Sequence, residues 1–532
     1  MDQITIFVAD DVSESGLEPL RAAGFDLRKQ VGLKGQELLT AVRDCDGLVV
    51  RSGTRVTIEL MDAAVKLRVI GRAGVGVDNI DVAAATSRGI VVMNAPDGNT
   101  ITTAEHTIAM LIALARNIPQ ANQSLRSGNW ERKKFIGAEL SGKTLGIVGL
   151  GRIGRVVALR ARAFGMKVLA FDPFVAPEQA RDLEIEIGSL DRVVSEADFL
   201  TVHTPLTPET KGIIGARAFR IMKHGIRVIN CARGGLIDEA ALAVAVQQGI
   251  VAGAAIDVFE QEPPSLDNPL LHLDQVIVTP HLGASTKEAQ EGVAVTVAEQ
   301  MRDYLSTGAL RGAVNVPAVG TRELATLTPY LDLALSLGRL QAQIIEDPIR
   351  EVLLEFAGEI ADLDAAPVTR SFVSGLLREI SARVNAVNAF VIAEERGIKI
   401  TTSYLRGNLD AAPALKTIVK TSGSEHTVAG TLFGRIGGNS EGRITEINGF
   451  RIEALPHGHM LLTRNKDIPG VIGKIGAVMG ENQVNISRFN LGRRERGGEA
   501  MAVIETDAAL DNVTLEKLRA LDEVVFARRI EL

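Results

Sequence analysis

Three side chains in the middle of the chain have the types and the order for acid–base chemistry on a carboxylate-bearing substrate. Arg233 stands in Cys231-Ala232-Arg233-Gly234-Gly235, Glu262 in Glu260-Gln261-Glu262-Pro263-Pro264, and His281 in Pro280-His281-Leu282-Gly283-Ala284. A guanidinium is planar, permanently charged and able to grip a carboxylate with two parallel hydrogen bonds. An imidazole titrates near neutral pH, so it can take a hydroxyl proton and return it. A carboxylate beside the ring orients it and stabilises the imidazolium. Together they supply what oxidation of a 2-hydroxy acid needs: a clamp, a base and a group that sets the base. Each residue alone has a plainer reading, as a surface turn, a solvated acid and a packing histidine. Their recurrence after successive strand-like runs favours the chemistry. His203, in His203-Thr204-Pro205-Leu206-Thr207, also follows such a run but has no matching arginine and acid. Cys231 reads as a small buried residue without a redox role. His106 reads as a satisfied core or interface residue, since no acid or metal ligand stands at a useful spacing. The eight histidines are scattered and the two cysteines far apart, so no metal site is expected.

Such an oxidation also needs somewhere to send two electrons. The stretch Lys143–Gly154, KTLGIVGLGRIG, supplies a candidate. The apolar run Thr144–Val148 reads as a buried strand, and Gly149, Gly151 and Gly154 form a G-x-G-x-x-G turn opening a helix over Arg155–Phe164. The first glycine permits the tight turn, the second lets backbone approach a pyrophosphate, and the third lets helix pack on strand. The helix N-terminus attracts phosphate. The next strand, Lys167–Phe171, ends at Asp172, where a carboxylate would accept from a ribose 2′-hydroxyl and repel a 2′-phosphate. NAD is therefore expected rather than NADP.

The surrounding pattern positions these groups. Strand-like runs at Phe199–Val202, Val228–Cys231, Ala254–Phe259 and Val276–Thr279 each end beside one of them. Residues 1–98 alternate strands (Ile4–Ala9, Gly47–Val50, Leu67–Ile70, Ile90–Met93) with helical periods, as in a doubly wound parallel sheet. Binding chemistry in such sheets collects at the strands' carboxyl ends. There stand Arg51-Ser52-Gly53-Thr54 and Gly71-Arg72-Ala73-Gly74-Val75-Gly76, with arginines to hold an anion and glycines to offer backbone donors. An apolar helix over Thr102–Arg116 crosses to the second domain. A long helix, Lys287–Tyr304, and an extended Asn315-Val316-Pro317 are expected to return to the first.

The chain has 532 residues, enough for roughly three to four domains. A formal charge of −7 argues against nucleic acid as the main partner, and basic clusters such as Arg132-Lys133-Lys134 are short. Two cysteines cannot build a disulfide framework, which fits a reducing cytoplasm. No signal-peptide pattern opens MDQITIFVAD, and the apolar stretch Ile108–Ala115 is far short of the ~20 residues of a membrane span. The expected architecture is α/β. A substrate-binding domain (1–98 and 283–318) and an NAD-binding domain (99–282) are both doubly wound parallel sheets, Rossmann-like or flavodoxin-like. An α+β intervening block (319–452) follows, then a ferredoxin-like βαββαβ unit (455–532).

The motifs GRAGVGVDNID, NWERKKF, GLGRIG, HTPLTPET, NCARGGLIDE, DVFEQEPP and TPHLGAST resemble those of the D-isomer-specific 2-hydroxyacid dehydrogenases. The C-terminal DIPG and VNIS resemble an ACT regulatory domain, so the chain is similar to the long form of that family over essentially its whole length. The resemblance implies Arg233, Glu262 and His281 as the catalytic set. It implies NAD contacts at Val75, Arg152, Ile153, Asp172, Thr204, Cys231, Ala232, Arg233, Asp257, His281, Leu282, Gly283 and Ala284. It implies substrate contacts at Arg51, Ser52, Arg72, Gly74, Val75 and Gly76, with Arg132 supplied by a neighbouring subunit. The implied reaction is oxidation of 3-phospho-D-glycerate to 3-phosphohydroxypyruvate, the first step of serine synthesis, with 2-oxoglutarate reduction as a side activity. A homotetramer is implied, as is serine bound between paired ACT domains through Asp467 and Asn485, although Asn465 departs from the aromatic or histidine of the pattern. The alternatives are a glyoxylate, hydroxypyruvate or D-lactate reductase of the same family, and an NAD-sensing binding protein.

Overall fold

The computed structural model describes residues 3–316, 321–379, 383–405, 414–434 and 440–532; Pro317 and the expected junction at 318/319 lie outside them. The first sheet holds β1 (Thr5–Val8), β2 (Asp26–Lys29), β3 (Gly47–Val50), β4 (Val69–Arg72) and β5 (Val91–Asn94). All are parallel, in the order β2-β1-β3-β4-β5, the flavodoxin-like arrangement. β3 is buried along its whole length, as a strand covered on both faces must be. β2 was not foreseen. Its sequence, Asp-Leu-Arg-Lys, is an edge strand with a charged, half-exposed face and no apolar run. Helix Lys287–Thr307 lays Val293, Val297 and Met301 on this sheet. The chain behind it then bridges Ala313 to Met93 and ties Asn315 to Val92 N–H and the Ile90 carbonyl.

The second sheet holds β6 (Thr144–Val148), β7 (Lys167–Phe171), β8 (Glu186–Ile187), β9 (Phe199–Val202), β10 (Ile226–Asn230), β11 (Val251–Ile256) and β12 (Val276–Val278). Its order, β12-β11-β10-β9-β6-β7-β8, is the Rossmann order with one strand added, again all parallel. The order reverses between β6 and β9, which opens a crevice at their carboxyl ends. Helix Thr100–Ala115 joins the two sheets' chains and buries Ala104, Leu111 and Leu114 against the second.

A mixed sheet follows: β13 (Ile349–Ala357), β14 (Lys399–Leu405), β15 (Leu415–Thr421), β16 (Glu425–Phe433), β17 (Glu441–Ile447) and β18 (Phe450–Ala454), in the order β14-β13-β15-β16-β17-β18. The last sheet, β19 (His459–Lys466), β20 (Ile486–Arg493), β21 (Glu499–Thr506) and β22 (Val524–Glu531), is antiparallel in the order β20-β21-β19-β22. With helices Val471–Glu481 and Asn512–Arg519 it is the ferredoxin-like βαββαβ unit expected. These two units are not independent cores. Met460, Leu462, Met501, Val503 and Ile530 of the last sheet sit in one cluster with Leu333, Leu337 and Phe356.

Candidate active site

The three glycines after β6 occupy three different situations. Gly149 has φ +98°, and a side chain there would strike the His203 backbone at 2.8 Å. A Cβ on Gly154 would lie 2.2 Å from the Gly149 carbonyl oxygen, so only a bare backbone lets the helix rest on the turn. A Cβ on Gly151 would meet nothing within 4 Å. It faces open space at the N-terminus of helix Arg152–Ala163, where a pyrophosphate would lie. The helix starts three residues earlier than expected. Asp172 accepts from Leu150 N–H (2.8 Å) and Phe174 N–H (2.9 Å), so it braces the glycine turn and keeps lone pairs for a ribose hydroxyl.

At the end of β10, Asn230 holds the next loop by donating to the Arg233 carbonyl (2.8 Å) and accepting from Ala232 N–H (3.0 Å). The Arg233 guanidinium reaches across to Asp78 Oδ2 at 3.2 Å. A Cβ on Gly76 would lie 2.2 Å from Arg233 Nη2, and one on Gly74 would lie 1.7 Å from Arg72 Nη1. These glycines therefore clear space for two guanidiniums. One expectation is corrected here: Gly74 N–H is not a free donor, because it bonds the Arg72 carbonyl (2.8 Å). Asp10 organises the Arg51–Thr54 turn, accepting from Arg51 N–H (2.6 Å) and the Thr54 hydroxyl (2.7 Å), and leaves Ser52 exposed. Burial first, then the Arg233 and Arg51 charges, push the Arg72 guanidinium down to about 10. Among the described residues, Arg72 Nε is buried without a partner. A desolvated Arg72 with an unmet donor, within charge reach of Arg233 and Arg51, fits an anionic ligand.

His281 Nδ1 lies 2.7 Å from Glu262 Oε2, and Glu262 Oε1 accepts from Phe259 N–H at 3.1 Å. Burial raises the Glu262 carboxyl, but the His281 hydrogen bond and charge and the Phe259 N–H outweigh it and hold it below the usual range. With Nδ1 bonded to the carboxylate, Nε2 is the ring atom left for proton transfer.

A cavity of about 310 Å³ separates the carboxyl ends of the two sheets. Val75, Arg152, Ile153, Thr204, Cys231, Ala232, Arg233, His281, Gly283 and Ala284 line it, as do Pro96, Asn99, Thr100, Thr103, His203 and Pro205, which sequence reasoning did not assign. The available signal was the threonine-rich first turn of an otherwise apolar helix. Among the described residues, Asn99 Oδ1 and the hydroxyls of Thr100, Thr103 and Thr204 are buried without partners. Unmet polar groups around a crevice beside an open glycine turn fit a polar dinucleotide. His203 Nδ1 is also unpartnered, and burial pushes the ring down to about 4, so it stays neutral near pH 7. Cys231 is buried, and desolvation drives its thiol far up, leaving it unreactive. A larger cavity, about 560 Å³ beside Phe390 and Tyr404 in the mixed-sheet unit, is remote from this chemistry. Arg132 lies on an exposed segment outside the cleft of its own chain.

His106 corrects a second expectation. Its acid is Asp257, remote in sequence, whose Oδ1 lies 3.3 Å from His106 Nε2. Asp257 is 0 % exposed, and it accepts from the Thr279 hydroxyl (2.5 Å), Leu282 N–H (2.8 Å) and Gly283 N–H (2.9 Å).

Residues 108–283 match the family described as D-isomer specific 2-hydroxyacid dehydrogenase, NAD binding domain. Residues 326–448 match the D-3-phosphoglycerate dehydrogenase intervening domain, and 459–523 the ACT domain. A D-3-phosphoglycerate dehydrogenase of Bacillus subtilis (strain 168) is 44% identical over 99% of this chain and 99% of its own length. The chain belongs to the D-3-phosphoglycerate dehydrogenase family. It is an NAD-dependent oxidoreductase. Solved structures similar to it include a glyoxylate reductase from Paecilomyes thermophila (30% identical, TM-score 0.55, covering 59% of this chain and 99% of that one). Another is an NAD-dependent formate dehydrogenase from Staphylococcus aureus in complex with NAD (27%, TM-score 0.54, 60% and 100%).

In the ACT domain, the two residues named for an effector do not meet within one chain. Asp467 follows β19 and accepts from Gly497 N–H (3.0 Å) and Arg493 Nη1 (3.2 Å). Asn485 precedes β20 and donates to Asp507 (2.6 Å). The pairing register puts Lys466 opposite Glu499 and Ile486 opposite Thr506, so the two residues stand at opposite ends of the sheet. Asn465 is buried, and among the described residues its Oδ1 is unpartnered.

Proposed function

We propose that the enzyme oxidises 3-phospho-D-glycerate to 3-phosphohydroxypyruvate, the first step of L-serine synthesis. The observation that carries this reading is the Glu262–His281 pair at 2.7 Å beside a cavity that Arg233 lines, with Arg72 close enough to Arg233 and to Arg51 for both charges to act on it. In it, Arg233 clamps the substrate carboxylate, and the remaining arginines suit a second anionic group such as a phosphate. His281 Nε2 takes the C2 hydroxyl proton in oxidation and returns it in reduction. Glu262 keeps Nδ1 protonated and stabilises the imidazolium as it forms. NAD, when bound, accepts the hydride. Arg152, Ile153, Asp172, Thr204, Asp257 and the 281–284 turn would hold it, and Val75 would reach it from the opposite sheet.

On this reading 1–98 with 283–318 binds substrate, 99–282 binds NAD, 319–452 intervenes and 455–532 regulates. Serine binding at Asp467 and Asn485 requires two ACT sheets side by side, which agrees with a homotetramer. Such an enzyme works in the cytoplasm, and among the described residues no helix is long and apolar enough to cross a membrane. Reduction of 2-oxoglutarate remains a side activity of the same cleft. The likeness to a glyoxylate reductase extends over 59% of this chain, so the intervening and ACT units favour the phosphorylated substrate over that alternative. The test is NADH formation at alkaline pH with 3-phosphoglycerate, D-lactate or glycerate, each with and without serine. Selectivity for 3-phosphoglycerate is expected; preference for an unphosphorylated acid would overturn the substrate.

A further inference from the structure

His106 is outside the cleft, yet the fold sets it directly behind the turn that carries His281. Its Nε2 has no accessible surface and, among the described residues, only Asp257 Oδ1 in reach, at 3.3 Å and off the ideal angle. Asp257 anchors that turn through the Thr279 hydroxyl and the N–H groups of Leu282 and Gly283, while its own carbonyl accepts from His281 N–H (2.9 Å). The turn needs an anchor, because His281 holds φ +55°, an uncommon conformation for a side-chain-bearing residue.

We propose that His106 is a positioning residue which, through Asp257, fixes the turn bearing His281 relative to the helix that joins the two sheets. This rests on the reading of His281 as the acid–base. Three of the donors to the Asp257 carboxylate belong to the turn itself. Among the described residues, His106 is the group from another element that faces this carboxylate, at 3.3 Å, so it links the turn to the helix. A Cβ on Gly283 would touch Asp257 Oδ2 at 3.3 Å and Thr103 Cγ2 at 3.5 Å, so helix, carboxylate and turn are in packing contact. Burial raises the Asp257 carboxyl, and the contacts from His106, Thr279 and Leu282 reverse this and hold it low. His106, Cys231 and Asp257 offer ligand atoms within 4.8 Å of one another. The carboxylate is already engaged by the Thr279, Leu282 and Gly283 donors, so it serves as a brace.

The test compares His106→Leu, His106→Asn and His106→Gln in the full-length enzyme. It reads kcat and KM for NADH formation, Kd for NADH by fluorescence, and Tm. Leucine keeps bulk without a donor, asparagine is too short, and glutamine can bring a donor to the same carboxylate. We expect kcat to fall about 10- to 100-fold in His106→Leu, and glutamine to restore most of that loss together with any loss of NADH affinity. If His106→Leu does not fold, His106→Asn against His106→Gln makes the same comparison. Turnover within twofold of wild type in the leucine and asparagine variants, or no rescue by glutamine, overturns the proposal. His281→Ala run alongside separates the two readings. Full turnover there overturns the acid–base assignment, whereas loss there beside undiminished His106→Leu turnover overturns the brace alone.

Discussion

Replacing Glu262 with glutamine asks what a charge does beside the imidazole. The carboxylate serves two donors, His281 Nδ1 at 2.7 Å and Phe259 N–H at 3.1 Å. A glutamine amide has one oxygen, so it can satisfy only one of them. If the oxygen faces Phe259, the amide NH2 faces Nδ1 and favours the tautomer with Nε2 protonated, which cannot act as a base. If it faces Nδ1, the Phe259 N–H loses its acceptor. That conflict costs about 1 kcal/mol, the worth of one hydrogen bond. The charge adds to it. Carboxylate and nascent imidazolium centres about 4 Å apart attract by about 4 kcal/mol at an effective dielectric of 20 and about 1 in water, and this half-exposed pair falls near 2. The sum, about 3 kcal/mol, is roughly a hundredfold in kcat. The assay is kcat at saturating 3-phosphoglycerate and NAD, with Kd for NADH and Tm as controls. A kcat within threefold of wild type, with NADH binding intact, would refute the role given to Glu262. The acid side gives a further check. Because the folded carboxyl is held below its unfolded value, the pair contributes stability above the usual carboxylate range and loses it only as pH falls through the lowered value.

Three other outcomes follow from the same geometry. His203 is held near 4 and protonates near 6.5 when unfolded, so stability should fall as pH drops from 6.5 toward 4, by at most about 3 kcal/mol because part of the ring meets solvent. His203→Asn should flatten that slope in urea unfolding at pH 7 and 5, and equal slopes would contradict it. Gly154→Ala should cost about 1–3 kcal/mol through overpacking against the Gly149 carbonyl, whereas Gly151→Ala, facing open space, should keep the wild-type Tm and lose NADH affinity. Arg72→Met should raise Tm in anion-free buffer and abolish the Tm gain that inorganic phosphate gives the wild type; an undiminished gain would remove Arg72 from the anion site.

Much of this was legible in the residues, for identifiable reasons. Buried parallel strands read as unbroken apolar runs, so β3, β6, β7 and β9 appear in the sequence at their structural limits. Glycines report backbone constraints directly, and strand ends in a doubly wound sheet point at one crevice, which is why Arg233, Glu262 and His281 could be grouped from order alone. What failed was long-range. His106 and Asp257 are 151 residues apart, and no spacing rule links them. Gly74 looked like a ligand donor because a sequence does not show that its N–H turns back on the Arg72 carbonyl. β2 hid because an edge strand needs no apolar face. The shared core of the last two units was hidden in the same way: each segment looks complete until its partner's apolar face is known.

That shared core bears on how the ACT domain can matter to the cleft. Its sheet packs on the mixed-sheet unit through Met460, Leu462 and Ile530, and Arg528 Nη1 adds a hydrogen bond to the Gln343 carbonyl (2.6 Å). The mixed-sheet unit in turn drives Val387, 2 % exposed, into the core of the first sheet beside Val69 and Val91. Asn385 Nδ2 donates to the Gly89 carbonyl (2.8 Å), at a glycine where a Cβ would lie 2.6 Å from that nitrogen. Gly89 links helix Val82–Ser87 to β5, and β5 pairs β4, whose last residue is Arg72. Packing is therefore continuous from the ACT sheet to the arginine end of the cleft. Close-packed interiors transmit displacement rather than absorb it. The route enters the first sheet at residues 385–388 and reaches Arg72 before it reaches the second sheet. A movement of the ACT sheet would therefore act first on Arg72, and only through its charge contact with Arg233 on the facing side of the cleft.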